Sequence, residues 1–475
     1  MADSWNEEAD VVVIGYGGAG ASAAISAHDA GAKVLIIEKN EGGGNTKLAT
    51  RTFISPENNS QAKKHILALS FGTVDDEIVD SFLEWTSRNN DFIRELGGEV
   101  EVCPPAATFP LLPGAETMIR YRAKGASGER GGESLWNLLA HNVERRQIHV
   151  RRDTAVTRLV RSGDEIVGVE VNREGRLFRV AAKRAVVLTT GGFEYNEDMK
   201  REFLAGYPIH AYGHPGNRGD GIKLAQEVGA DLWHMKAVAA PMGFKFPEYE
   251  SAFIMRMPAD GYILVDQNGK RFCDETGLEH YSMWMAVTRF DTDSLRYTRI
   301  PAYVIFDERT RQRGPITSVG HGANRGYAWS PENETEIERG WIVRSKNARD
   351  LAGKLGMAEV DQLAATVAEY QQACRRGRDD KLGRSRQTLV ELYGDLYGLP
   401  IWPCLLNTQG GPKRNSRGQI LNVWGNPIKR LYGAGEMGSI WGFLYQSGGN
   451  LAECLGLGRM VGVNAAAESP LTVVG

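Results

Sequence analysis

Val11-Val12-Val13-Ile14-Gly15-Tyr16-Gly17-Gly18-Ala19-Gly20 is the stretch whose reading decides the fold. Four β-branched residues read as a buried strand, Ala21 to Ala30 as a helix of small residues, and Val34-Leu35-Ile36-Ile37 as a second strand. Between the first strand and the helix, Gly15 to Gly20 satisfies the G-x-G-x-x-G pattern in the context where it has a physical meaning. Gly15 permits a tight turn, Gly17 lets backbone approach a pyrophosphate, and Gly20 allows close packing of helix on strand. The helix start around Gly18 and Ala19 then offers free N–H groups and a partial positive charge to phosphates. Glu38 closes the second strand, where an acid can hydrogen-bond a ribose hydroxyl. The unit is expected to bind a dinucleotide, and the acid favours FAD or NAD over a 2′-phosphorylated one. Val11 to Ala27 carries no charge and approaches membrane-span length, but its internal glycines and the His28-Asp29 end indicate a strand, turn and helix in water.

Outward from this unit, Arg184-Ala185-Val186-Val187-Leu188-Thr189-Thr190-Gly191-Gly192 reads as a further strand of the same sheet. Residues 1–238 are therefore expected to form the first part of a nucleotide-binding domain. Residues 239–402 change to aromatics, prolines and charged helices, including an amphipathic Asp361 to Arg376, and read as an inserted cap. Residues 403–475 return to the glycine-rich style, with Asn450 to Ala467 a helix of small and apolar residues. The expected class is α/β with an α+β cap. The charge cluster Arg375 to Arg386 reads as a solvated helix end or loop.

Composition narrows the partners. The 475 residues carry 56 Lys+Arg against 59 Asp+Glu, a formal net charge of −3, whereas bulk attraction to nucleic acid or anionic membrane needs a basic excess. A small-molecule substrate is expected, with no nucleic acid and no membrane span. The five cysteines are odd in number and far apart, which fits reduced thiols in a cytoplasmic protein, and the acidic start MADSWNEEAD does not look like an export signal. His210 and His214 stand four apart in a Gly/Pro loop without Cys or acid companions, so no metal is expected.

A second glycine-rich loop, Gly42-Gly43-Gly44-Asn45-Thr46-Lys47, follows directly on Glu38-Lys39 and suits a cofactor that continues past its pyrophosphate. Together with Thr190-Gly191-Gly192, Gly219-Asp220-Gly221, Gly433-Ala434-Gly435-Glu436 and Gly448-Gly449-Asn450, it resembles the fumarate reductase/succinate dehydrogenase flavoprotein family over about residues 9 to 466. That resemblance implies FAD, with Glu38 on the adenosine ribose, Val156 near the adenine, and Lys39, Gly44, Asn45, Thr46, Ala49 and Thr50 along the pyrophosphate and flavin. It places Thr190, Gly191, Gly192, Asp220 and Gly435 in the same shell, and sets Glu436 toward the ribityl chain. The helix opening at Asn450 and Leu451 is expected to aim its N–H groups at the flavin pyrimidine. Relatives that attach flavin covalently carry a histidine near Asn45-Thr46; none stands in this loop, so FAD is expected to be noncovalent. Thr50-Arg51 stands where relatives often have two glycines.

The same family places His and Arg to clamp a dicarboxylate. Those slots fall here on Asn407, on Gln446 or its neighbour, and on Pro258, while His321-Gly322-Ala323-Asn324-Arg325 repeats the letters of one such motif inside the cap. Tyr445-Gln446-Ser447-Gly448-Gly449 instead has the Tyr-x-x-x-Gly spacing of the family's 3-ketosteroid dehydrogenases, where the Tyr hydroxyl and Gly N–H hold a ketone oxygen. The resemblance thus makes Tyr445 and Gly449 the electrophile and Tyr281, soon after Arg271-Phe272-Cys273-Asp274-Glu275, the base, with His280 and Tyr297 as rivals. A tyrosine of ordinary pKa near 10 needs positive charge or hydrogen bonds to act as a base. The expected activity is desaturation of a cyclic or steroid-like ketone, with electrons passed to an external acceptor. The alternatives are reduction of an unsaturated acid through cap arginines such as Arg256 or Arg289, and a redox-sensing flavoprotein without turnover.

Overall fold

The computed structural model describes residues 5–50, 52–104, 108–125 and 132–471, so Arg51 lies outside the described residues. The chain forms two compact units: residues 1–199, 213–238 and 407–475 in one, residues 200–212 and 239–406 in the other. Residues 200–212, which the sequence pattern assigns with the first unit, belong to the second because His210 and Ala211 pair in parallel with Cys404 and Leu405.

The first unit is organised by parallel strands. β1 (Glu7–Ile14) lies between β2 (Val34–Ile37) and the strand Arg176–Leu188, and the strand Pro427–Gly433 flanks the latter. Register pairs Ile14 with Ile37 and with Leu188, and Leu188 with Gly433. Four strands therefore stop at one edge, and the loops that follow them, all glycine-rich, emerge together. That carboxyl edge is where open α/β sheets bind ligands. All four residues of β2 are buried, which is why its apolar run shows no alternation.

Helix α1 (Gly18–Asp29) begins three residues before the alanine run, so Gly18 and Gly20 lie inside it. A Cβ on Gly20 would stand 1.9 Å from Gly15 O, far inside contact distance, which explains the glycine at the cost of some helix propensity. The C-terminal helix Gly449–Ala466 packs along α1, its Gly462 allowing close approach to the backbone of Ala23. Burial on many sides accounts for the weak amphipathicity of both helices.

The second unit is built on the strand Leu396–Leu405, paired antiparallel with Ala302–Asp307, which pairs in turn with Tyr262–Val265. The helices Ala348–Lys354 and Val360–Arg376 share one apolar cluster with Ile263, Val265 and Ile305. An aromatic cluster with Phe246 stacked on Trp341 at 3.9 Å joins Leu264, Val304 and Phe306. The strands alternate sides, so each supplies both clusters. The Arg375 to Arg386 segment is not wholly solvated: Arg384 is 2% exposed and donates to Tyr262 O at 2.7 Å and Asp260 O at 2.6 Å. Its guanidinium also meets Glu275, which Arg271 grips through two bonds of 2.8 Å, while Arg271 reaches buried Asp379 at 3.0 Å. The Arg-Phe-x-x-Glu motif is thus a buried ion network that ties the strand Tyr262–Val265 to the segment after the long helix. Among the described residues no helix is long and apolar enough to cross a membrane.

Candidate functional site

The loops at the sheet's carboxyl edge are tied to one another by their side chains. Glu38 accepts from Tyr16 N at 2.7 Å and from Asn40 N at 2.8 Å, joining the first glycine turn to the end of β2. Each carboxylate oxygen keeps a second lone pair for a ribose hydroxyl. Its carbonyl accepts from Thr154 N at 3.0 Å, which starts the strand Ala155–Ser162 beside it with Val156 half-buried two residues on. Lys39 donates to Gly216 O at 2.6 Å and pairs with Asp220, fastening the loop before the helix Asp220–Glu227. Lys39 and Asp220 therefore brace one another.

The short helix α2 (Gly44–Leu48) carries the contacts of the second glycine loop. Thr46 Oγ1 accepts from Gly18 N at 3.1 Å, and Asn45 Nδ2 donates to Glu194 Oε1 at 2.8 Å and Glu436 Oε2 at 2.9 Å. Asn45 Oδ1 accepts from His214 N at 2.7 Å. Ala49 ends α2 half-buried, and Thr50 is exposed. Thr190 reaches Met437 at 3.3 Å, and Gly191 turns with φ +72° against Asn217. A Cβ on Gly192 would run into the Glu194 and Glu436 carboxyls.

Gly435 turns with φ +80° beside Ala19. The loop Ala434 to Ser439 is clamped from behind by Arg414, which donates to Gly433 O and to Gly438 O at 2.9 Å each and to Glu453 at 2.5 Å. Gly433 to Gly438 does follow a seven-residue strand, yet it continues as turns rather than a helix, so this second G-x-G-x-x-G has no helix N-terminus to offer a phosphate.

FAD fits this arrangement on the protein's own evidence. Gly17 caps α1 with open space where a side chain would stand, the nearest atom to its ideal Cβ being Gly43 O at 4.0 Å. Asn450 is buried at the start of the helix Gly449–Ala466, and neither polar atom of its side chain has a protein partner; Glu436 Oε1 is in the same position. Buried polar atoms without partners are costly unless a ligand supplies them. Residues Gly15 to Gly20 would hold the pyrophosphate, Glu38 the ribose, and Asn45, Glu436, Asn450 and Leu451 the flavin half.

Tyr445 is buried, edge-on to Trp441 at 6.1 Å, and its Oη lies 3.4 Å from Asn450 N at the same helix start. The Gly449 N–H donates to Gln446 O at 2.8 Å, so this glycine donor is engaged in a turn instead of standing free beside Tyr445. Of the three slots of a dicarboxylate clamp, Asn407 and Gln446 are neutral amides bonded within the protein, and Pro258 has no side-chain donor. Asn407 donates to Glu436 at 2.7 Å, and the Gln446 side chain bridges His65 at 3.3 Å and Thr108 at 2.9 Å. Three contributors escaped the sequence motifs: Glu194, Arg414, and half-buried Arg120, whose Nη1 donates to Ser447 Oγ at 3.3 Å. Each is brought in by pairing or loop convergence, so no local spacing announced it.

In the second unit, Tyr281 lies in a turn whose carbonyl accepts from Ala240 N at 3.4 Å. Glu279 caps that turn from Ser282 N at 2.9 Å, and burial pushes its carboxyl up to about 7. His280 keeps an exposed edge, but desolvation of its ring and the Arg256 guanidinium push its imidazole down, leaving it neutral and weakly basic at pH 7. Tyr297 sits edge-to-face with Phe290 at 5.2 Å, a packing contact. His321 meets Ser318 at 3.2 Å within the same unit.

The family model described as FAD binding domain matches residues 10–451. The NADH:fumarate oxidoreductase of Klebsiella pneumoniae is 30% identical over 96% of this chain, which spans only 47% of that protein's length. The 3-oxosteroid 1-dehydrogenase of Mycolicibacterium smegmatis is 24% identical, with 98% of both chains covered. The solved 3-ketosteroid Δ1-dehydrogenase of Sterolibacterium denitrificans, in complex with 1,4-androstadiene-3,17-dione, superposes with a TM-score of 0.86 at 21% identity over 97% of this chain and 100% of that one.

Proposed function

The chain belongs to the FAD binding domain family and is an FAD-dependent oxidoreductase related to fumarate reductases and 3-oxosteroid dehydrogenases; from that premise we propose that it desaturates a cyclic ketone next to its carbonyl. The observation that carries this reading is the C-terminal slot, where a buried tyrosine hydroxyl stands at a helix N-terminus, together with the clamp positions Asn407 and Gln446, which are neutral amides bonded to other residues.

Removing a proton from the carbon beside a ketone builds negative charge on the carbonyl oxygen. A hydroxyl fixed at that oxygen lowers the barrier by about 3 kcal/mol. Tyr445 supplies the hydroxyl, and the first turn of the helix Gly449–Ala466 supplies a partial positive charge behind it. Tyr281 is assigned the proton. FAD held by Gly15 to Gly20, Glu38, Asn45 and Glu436 would supply the two-electron acceptor for a hydride from the neighbouring carbon, so that loss of one proton and one hydride would turn the ketone into an enone, with an external acceptor taking up the two electrons.

One observation favours a second reading. Arg120 stands beside Ser447, two residues after Tyr445 in the slot, and a guanidinium there suits the carboxylate of an unsaturated acid. An anaerobic titration separates the two. Under the first reading, cyclic ketones or 3-ketosteroids bleach the oxidised flavin band; if they do not, and an enoate restores the band of the dithionite-reduced protein, the ketone reading is overturned in favour of the second.

We also propose that the cofactor is held without a covalent bond. Acid precipitation is then expected to leave all the yellow colour in the supernatant, and colour retained in the pellet would refute this.

A further inference from the structure

Two carboxyl groups meet in the first unit with no cation hydrogen-bonded to either among the described residues. Glu194 is fully buried and Glu436 nearly so. Their outer oxygens are well supplied: Glu194 Oε1 accepts from Asn45 at 2.8 Å and Asn217 at 3.2 Å, and Glu436 Oε2 accepts from Asn45 at 2.9 Å and Asn407 at 2.7 Å. Their inner oxygens, Glu194 Oε2 and Glu436 Oε1, have no partner, and both crowd the same point over Gly192. Three asparagine amides therefore hold the two groups with their unsatisfied oxygens together. Two ionised carboxylates so placed would repel in a buried site, whereas a single proton turns the inner oxygens into a donor and an acceptor.

We propose that Glu194 and Glu436 share one proton and act as a single acid–carboxylate pair in the FAD site, retaining the cofactor while the proton is present and releasing it when the proton is lost. Burial raises both carboxyls, and the charge of Glu194 raises Glu436 further. The pair is joined to the phosphate turn through Asn45 and the next residue, Thr46, which bonds Gly18 N at the start of α1. A pair with one negative charge spends its proton between the inner oxygens and presents a single charge to the cofactor. A pair with two adds charge beside a diphosphate.

The other titratable groups around the pair do not supply that proton. Cys454, on the helix Gly449–Ala466, is a buried thiol pushed up by burial and by Glu453 and Glu436, and stays neutral. His214 touches Asn45 through its backbone, and burial lowers its imidazole. Arg414 is committed to Glu453, and Lys39 to Asp220.

The inference rests on FAD as cofactor and is independent of the substrate. FAD affinity of the apoprotein is to be followed by quenching of flavin fluorescence across pH 5.5 to 9.5 for the native protein, Glu194→Gln and Glu436→Gln. A glutamine at either place keeps the acceptor oxygen and always carries a donor. The native affinity is expected to fall about tenfold per pH unit above the pair's transition, as loss of one linked proton requires. Whatever their affinity at pH 7, both glutamine variants are expected to lose the slope and give a flat profile above it. A second readout needs no variant: infrared spectra of the native apoprotein should show a protonated-carboxyl C=O stretch at pH 7 that shifts in D2O and disappears at high pH. Absence of that band, a flat native profile, or an unchanged slope in either variant overturns the shared proton. Failure of FAD to bind at every pH would instead overturn the cofactor assignment.

Discussion

Replacing Gly17 by valine is expected to give a folded, colourless protein. Gly17 is the N-cap of α1, with φ −99° and ψ −164°, an extended backbone that any residue adopts. The space beside it is open, so the protein itself has no reason to reject a side chain. FAD has one, because that space is where backbone and pyrophosphate must touch. Forcing extra methyl groups into a close contact costs about 1–3 kcal/mol, so FAD affinity should fall up to about 100-fold. Equilibrium dialysis with FAD reads the affinity, and circular dichroism reads the fold. Gly20→Val is the contrast, since its side chain would run into Gly15 O in the helix–strand contact and should impair folding itself. Full FAD occupancy in the Gly17 variant would place the pyrophosphate elsewhere.

Tyr445→Phe should lower kcat on the ketone substrate about 100-fold while leaving FAD content unchanged. The ring's edge contact with Trp441 survives the change, and what is lost is a hydroxyl at the helix start, worth about 3 kcal/mol if it meets the developing oxyanion. The expected pattern is kcat and kcat/KM falling together, the signature of an interaction made in the transition state. A variant with native turnover and full FAD would reduce Tyr445 to a packing residue. Because the Gly449 N–H is already donated to Gln446 O, the expected loss is larger than a two-donor arrangement would give.

Much of the nucleotide-binding half was legible because its signals are local. G-x-G-x-x-G reports a strand-to-helix turn whose geometry needs those glycines within six residues, and Glu38 follows at the end of the next strand. Local reading fared less well where function of a residue depends on what crosses it. Lys39 and Asp220 emerged as braces of one another, and Arg271-Phe272-Cys273-Asp274-Glu275, read as a landmark for the catalytic base, is half of a buried ion network completed by Arg384 more than a hundred residues on. Arg384 looked solvated because charge clusters usually are, and nothing adjacent reveals the carbonyls of Asp260 and Tyr262 that accept from it.

The sequence by itself determined that this chain carries a βαβ dinucleotide turn, a second glycine loop behind it, and a tyrosine at a glycine-rich helix start, since each is written in a few adjacent residues with a backbone requirement of its own. Only the tertiary structure decided that Ile14, Ile37, Leu188 and Gly433 end at one edge, because strand register is set by side-chain packing between segments that, for Leu188 and Gly433, lie far apart in the chain. The same convergence puts Asn45, Glu194, Asn407 and Glu436 in one buried cluster, where desolvation and mutual repulsion give two ordinary carboxyls a joint chemistry that neither has in its own stretch of chain.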